Sequence, residues 1–228
     1  QTKSKGSLIG VVLVGWMYFL SVALAVPALP SLVNNIMGGK DTVSPQSQMA
    51  LASLMATDGF FTFLTNNLWG AMSDKYGRKP FMAMSATGIA TGAAMIYSSS
   101  SLWPMYIGAA IDGCTSCMFG LGQAYTSDIS TVKELPENIG VFMGVAAGCA
   151  FMLGIPVSAI LTAKVSPRAP FLASAIIGAL NVLFITFVLP ESTSADKLRH
   201  VTLEEANPWG ALQMLRRNRL VSGGSTAY

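Results

Sequence analysis

Six apolar stretches of about twenty residues follow one another along the chain. They run roughly from Leu8 to Pro30, Met49 to Trp69, Phe81 to Ser98, Leu102 to Ala124, Ile139 to Leu161 and Pro170 to Leu189. That length is what a helix, rising about 1.5 Å per residue, needs to cross a hydrocarbon core of about 30 Å. Period-two alternation is missing from all six, which favours helices over a membrane barrel. Composition agrees: only 11% of residues are charged and the mean hydropathy is +0.52, whereas about a quarter of a soluble domain is charged. The expected fold class is an all-α membrane protein with six transmembrane helices. A net charge of +3, spread along the chain, gives no basic patch that would hold nucleic acid.

The first stretch has a second reading. "KSKGSLIGVVLVGWMYFLSVALA" offers basic residues, an apolar run and an Ala-x-Ala-like end at Ala23 and Ala25, the pattern of a cleavable signal. Its apolar run exceeds the about 7 to 15 residues usual there, and five more stretches follow, so a first span is the stronger expectation. The chain opens on Gln1 and ends in "SGGSTAY", as a piece of a longer protein would.

Basic residues set the orientation. With a cytoplasmic N-terminus, the inner segments carry Lys3, Lys5, Lys75, Arg78, Lys79, Lys133, Lys197, Arg199, Arg216, Arg217 and Arg219, and the outer loops only Lys40, Lys164 and Arg168. This is the positive-inside bias, and six spans return the C-terminus to the cytoplasm. The expected organisation is a cytoplasmic N-terminus over 1–7, a transmembrane domain over 8–190 and a cytoplasmic segment over 191–228. In that last segment Thr202 and Glu205 have capping-box spacing, and Asn207 with Pro208 can start a helix. Trp209, Leu212 and Leu215 then share a face opposite part of the Arg216, Arg217 and Arg219 cluster. An amphipathic helix on the inner leaflet fits this pattern, and so does a solvated linker.

"GAMSDKYGRKP", Gly70 to Pro80, falls in the short inner turn between the second and third spans. Orientation alone accounts for Lys75, Arg78 and Lys79. It does not account for Asp74, which contributes little to orientation, nor for Gly70 and Gly77 framing the turn. This motif resembles the signature between helices two and three of the major facilitator superfamily. "VPALPSLV" after span one, "AYTSDIS" after span four and "VLPES" after span six are similar to segments of its drug:proton antiporter branch, which includes tetracycline exporters and their eukaryotic relatives. A full member has twelve helices in two six-helix halves, each half built from two inverted three-helix repeats. The resemblance therefore implies an N-terminal half plus part of the central loop, with spans three and six peripheral. It also implies that Asp74 and Arg78, joined by Asp128 at the inner end of span four, help hold one face closed. Arg78 is then expected within salt-bridge reach of Asp128, with Gly70, Gly77 and Lys79 completing the gating motif.

Two carboxylates stand inside the membrane, Asp58 in span two and Asp112 in span four. An ionisable group there costs several kcal/mol unless it is paired, hydrated or protonated, which makes it a candidate for function. Helical spacing puts Asp58, Thr62, Thr65, Asn66 and Trp69 near one face, and Asp112, Ser116, Phe119 and Gln123 near another. The resemblance implies that helices one, two, four and five line a central cavity, so these stripes are candidate cavity walls and part of a substrate or proton pathway. Simple hydrogen bonding between neighbouring helices is the competing reading.

Departures from the family pattern are equally specific. Ala109 stands where antiporters of this kind often carry Arg, four residues before a glycine (here Gly113). Tyr18 stands where tetracycline exporters have an acidic residue before the "P-x-L-P" stretch. The helix-five antiporter signature is approximated by "GVAAGCAFMLGIPVSAI", with Gly144, Gly148, Gly154 and Pro156. Glycines 140, 144 and 148 lie four apart, a spacing that suits close helix packing.

Cys114 and Cys117 form a C-x-x-C inside a span without companion His or Cys ligands, and the single histidine, His200, lies in the tail. Neither a metal site nor a Ser-His constellation is expected, and no cofactor. Two membrane aspartates could in principle form an aspartyl-protease pair, but neither sits in a Gly-x-Gly-Asp context. A transport-inactive scaffold or receptor would use the same fold. The expectation is a secondary transporter, not an enzyme, working by alternating access on a small molecule and coupled to protons. Its partners would be the bilayer and a second six-helix half, from the missing chain or from a dimer partner.

Overall fold

The computed structural model describes residues 7–39 and 44–192. The expectations for 193–228, including the amphipathic helix and His200, and those for Lys3, Lys5 and Lys40 lie outside the described residues. Within them the chain is helical without strands: α1 (Leu8–Ile36), α2 (Pro45–Tyr76), α3 (Lys79–Ser98), α4 (Leu102–Thr115), α5 (Met118–Ile129), α6 (Leu135–Val141), a π-helical turn (Phe142–Cys149), α7 (Ala150–Lys164) and α8 (Ala169–Phe187).

Three continuous helical runs are long and apolar enough to cross a membrane: Leu8–Ile36, Leu135–Lys164 and Ala169–Phe187, with mean hydropathies of 2.3, 2.0 and 2.0. The first runs past its expected end at Pro30, carrying Pro27 and Pro30 inside it. Neighbouring helices and side chains can re-satisfy the backbone groups that such prolines free. The second expected span is a 32-residue helix, extended by polar turns at both ends. Ser44 caps its start by accepting from Ser47 N at 3.1 Å, with Pro45 in the first turn. The fourth expected span is two helices, because the chain leaves helical geometry at Ser116 and Cys117. The fifth is α6 and α7 joined through the wider π turn, a feature that often marks functional sites.

Packing pairs α3 with α8 and α4, α2 with α4, and α1 with α7, α8 and the π turn. α3 and α8 run antiparallel and are tied at both ends: Lys79 Nζ donates to Thr186 O at 2.9 Å, and an Arg168 guanidinium nitrogen donates to Ser99 O at 2.7 Å. Where α3 crosses α4, Gly92 and Gly108 meet so closely that a Cβ on either would lie 2.9 or 3.0 Å from the other's carbonyl oxygen.

Two hydrophobic clusters fill the bundle. One gathers Val14, Phe19, Met82, Tyr125, Phe142 and Ile185 toward the α2–α3 turn, and the other gathers Leu32, Leu54, Ile96, Met105 and Phe171 toward the opposite end. The fifth-span glycines differ in what they face. Gly144 faces no atom within 4 Å and Gly148 only a carbonyl of its own helix at 3.7 Å, so among the described residues they hold no neighbouring helix close. Gly154 does, against Ala23 of α1, and Pro156 sits inside α7 two residues further on.

Candidate functional site

Gly77 turns the chain between α2 and α3 with φ 97° and ψ 159°, a region essentially reserved for glycine. The turn aims Arg78 back across the end of the bundle. Its guanidinium pairs with Asp74 at 2.5 Å and with Asp128, at the end of α5, at 3.2 Å. It also donates to the buried Ser73 hydroxyl at 2.6 Å. One cation thus joins α2 and α5 across the start of α3. Its side chain is 13% exposed, so charge-assisted hydrogen bonds here are stronger than at an open surface.

Glu191, just beyond α8, completes the cluster. Its carboxylate accepts from the backbone N–H of Arg78 at 2.9 Å and of Lys79 at 3.1 Å. It thereby satisfies orphan donors at the start of α3, where negative charge is also favoured by the helix dipole. The Ser192 hydroxyl donates to Asp128 at 3.3 Å, and Tyr125 donates to the Pro190 carbonyl at 2.7 Å. Gly70 faces open space and lines, with Asn66, Asp74 and Arg78, a cavity of about 350 Å³ beside the cluster.

Deeper in the bundle lies a second cavity of about 230 Å³. Asp58 and Asp112 both line it, and its remaining walls are mostly apolar, among them Val22, Leu54, Ile89 and Met105. The two carboxylates come together because α2 and α4 touch backbone to backbone here: a Cβ at Gly113 would overlap the Asp58 carbonyl. α3 supplies part of the wall, although the sequence resemblance implies a peripheral third span. The absence of side chains at the Gly92–Gly108 crossing brings α3 in beside Asp112. Asp112 Oδ1 is shut off from solvent and has no hydrogen-bond partner among the described residues.

The broken span lies next to this cavity. Thr62 and Thr65 of α2 donate to Gly113 O at 3.3 and 3.4 Å, and Trp69 Nε1 donates to Cys114 O at 2.6 Å. These donors reinforce the end of α4, where Gly113 O also accepts from Ser116 N at 3.3 Å and the helix's own ladder runs out. Ser116 shares a hydrogen bond of 3.4 Å with the buried Tyr18 hydroxyl. The candidate pathway residues therefore separate. Asp58 and Asp112 share one cavity, Asn66 lines the other, Thr62 braces the break, and Tyr18 touches Ser116 at its edge. Gln123 lines neither cavity and reaches Met143 Sδ at 3.8 Å.

Residues 11–228 match the sequence profile of the Major Facilitator Superfamily. The chain belongs to that superfamily. Its similarity to the class C tetracycline resistance protein of Escherichia coli is 27% identity over 226 residues, covering 99% of this chain and 55% of that protein. Major facilitator superfamily domain-containing protein 10 of mouse is 30% identical over 135 residues, 59% of this chain and 28% of that one. The crystal structure of the human organic anion transporter MFSD10 (TETRAN) superposes with a TM-score of 0.74 at 24% identity, covering 92% of this chain and 54% of that chain. The D-xylose-proton symporter superposes at 0.66 with 16% identity, covering 95% and 54%. The chain spans about half the length of the curated relatives it matches most fully.

Within this superfamily fold, sequence reasoning overlooked Glu191, Ser73 and Ser192. A glutamate just after an apolar stretch reads as an ordinary boundary charge. The one signal was its place in "LPES" after the sixth span, opposite a turn rich in backbone donors.

Proposed function

We propose that the chain is the N-terminal half of a secondary active transporter that moves a small molecule by alternating access and is coupled to protons. In this reading residues 8–190 make six membrane helices, as two inverted three-helix repeats, with both termini on the cytoplasmic side. Residues 191–228 begin the loop to a second six-helix half, supplied by a longer chain or by a dimer partner. Asp74, Arg78 and Asp128 act as a latch with Gly70, Gly77 and Lys79 around it, and Asp58 and Asp112 belong to the substrate and proton pathway with Tyr18, Thr62, Asn66 and Gln123. Gly144, Gly148, Gly154 and Pro156 make the helix-packing motif of the fifth span, with Gly154 against α1.

The observation that carries the reading is Arg78 bridging Asp74 and Asp128. It fastens separate helices at one end of the bundle with ion pairs that can open without unfolding a helix. The relatives' names support it in kind: resistance proteins, an organic anion transporter and a proton symporter.

Uptake into proteoliposomes made with the full-length protein, with and without a pH gradient, tests it. Wild type is expected to accumulate substrate with the gradient, and Asp74→Asn to lose most of that uptake at unchanged expression. Gradient-independent uptake would remove proton coupling, and full activity of Asp74→Asn would remove the latch.

A further inference from the structure

The cavity holding Asp58 and Asp112 is bounded by α1, α2, α3 and α4, with Ser116 just beyond α4. All the residues that line it come from this chain, and two of them, Val26 and Met55, remain exposed. Six cations occur among the described residues, Lys75, Arg78, Lys79, Lys133, Lys164 and Arg168, and none lines the cavity. Among the described residues, therefore, two carboxylates line a mostly apolar space without a counter-charge, and Asp112 Oδ1 has no donor. Carboxylates held in apolar surroundings without a partner are costly, so the site calls for a ligand that brings both positive charge and N–H or O–H donors.

We propose that this cavity binds a small organic ammonium ion, its nitrogen held between Asp112 and Asp58 and its apolar part resting on Leu54, Ile89 and Met105. Size favours this class. The volume of about 230 Å³ approaches the about 300 to 1,000 Å³ of small-molecule sites, and far exceeds what a single ion or water fills. The chemistry of the walls points the same way. A hard metal ion such as calcium or magnesium wants about six oxygens around it, and the oxygens nearby are engaged. The Gly113 carbonyl accepts from Thr62 and Thr65, the Cys114 carbonyl accepts from Trp69, and the Ser116 hydroxyl pairs with Tyr18. An alkylammonium needs only the carboxylates for its N–H groups and apolar contact for its chain. Its binding stands on the cavity alone, and its role as cargo rests on the transport reading.

The test is thermal unfolding and calorimetric titration of the purified full-length protein in detergent, at fixed pH and ionic strength. The probes are phenethylammonium chloride, the neutral 2-phenylethanol and sodium chloride. Phenethylammonium is expected to bind and raise the unfolding midpoint, with the other two inert. Asp112→Asn should weaken binding at least tenfold and Asp58→Asn less. Ala109→Leu, which fills the cavity and leaves both carboxylates in place, should abolish it, while Lys133→Gln binds as wild type. Equal binding of 2-phenylethanol, a response to sodium alone, no response to any probe, or unchanged binding in both Asp112→Asn and Ala109→Leu overturns the proposal. Binding without uptake in proteoliposomes would leave this site standing and remove the transport reading; uptake without phenethylammonium binding would do the reverse.

Discussion

Asp128 and Asp112 come from the same divided span and are treated in opposite ways. At the end of α5, Asp128 accepts from Arg78 and from Ser192, and the neighbouring Asp74 shares the same guanidinium. In the bundle interior Asp112 has a buried oxygen with no donor among the described residues. A fold that needed carboxylates only for stability would pair them all, since an unpaired buried charge is strongly unfavourable. The difference separates carboxylates that fasten helices from one whose Oδ1 no described donor engages, at the cavity proposed to take a ligand.

Substitution can break that contrast, and the largest effect belongs to Arg78. Arg78→Ala removes the cation shared by two half-buried carboxylates, with a cost of about 1.5 to 3 kcal/mol expected for hydrogen bonds to charged groups. Denaturant unfolding in detergent should show a lowered midpoint; a loss below about 0.5 kcal/mol, typical of surface changes, would mean the cluster fastens nothing. Gly77→Ala comes next. It must hold an L-residue at φ 97°, and its new Cβ would meet the Glu191 carboxylate at 2.7 Å. About 1 to 3 kcal/mol is expected from the backbone alone, together with faster amide exchange at Arg78 and Lys79 as the Glu191 contacts loosen. Unchanged exchange there would show that Glu191 follows the turn wherever it goes. The smallest effect is expected for Asp112→Asn, because no hydrogen bond to Oδ1 is lost. A change within about 1 kcal/mol in either direction sharpens the contrast with Arg78→Ala, and a larger loss would reveal a stabilising partner for Asp112.

Sequence made the helical class and the charge cluster legible for different reasons. Apolar length is additive along the chain, so the runs holding Val11, Phe151 and Phe184 could be read without any tertiary information. The cluster was legible through the resemblance of "GAMSDKYGRKP" to the family signature, which implies Asp74, Arg78 and Asp128 together at one face. What escaped depended on contacts across many residues. Glu191 caps α3 from 113 residues away in sequence, counted to Arg78, and no local rule links an acidic residue to a distant helix start. The break at Ser116 was hidden because "GCTSCMFG" holds no proline, and the break is stabilised instead by Trp69, Thr62 and Thr65 on another helix. The polar stripe of the second span was read as one wall, yet Asp58 and Asn66 line different cavities. Eight residues of helix rise about 12 Å, enough to pass from one to the other.

The antiparallel pair of α3 and α8, fastened by Lys79 at one end and Arg168 at the other, has a mechanical consequence. Sliding one along the other by a helical turn, about 5.4 Å, would break both pinning bonds together. Tilting the whole plank is cheaper, because each pin then turns about its own carbonyl oxygen. A rigid tilt of α3 together with α8 keeps both bonds, so a displacement at the α2–α3 turn would reach the far end of the pair as through a stiff lever.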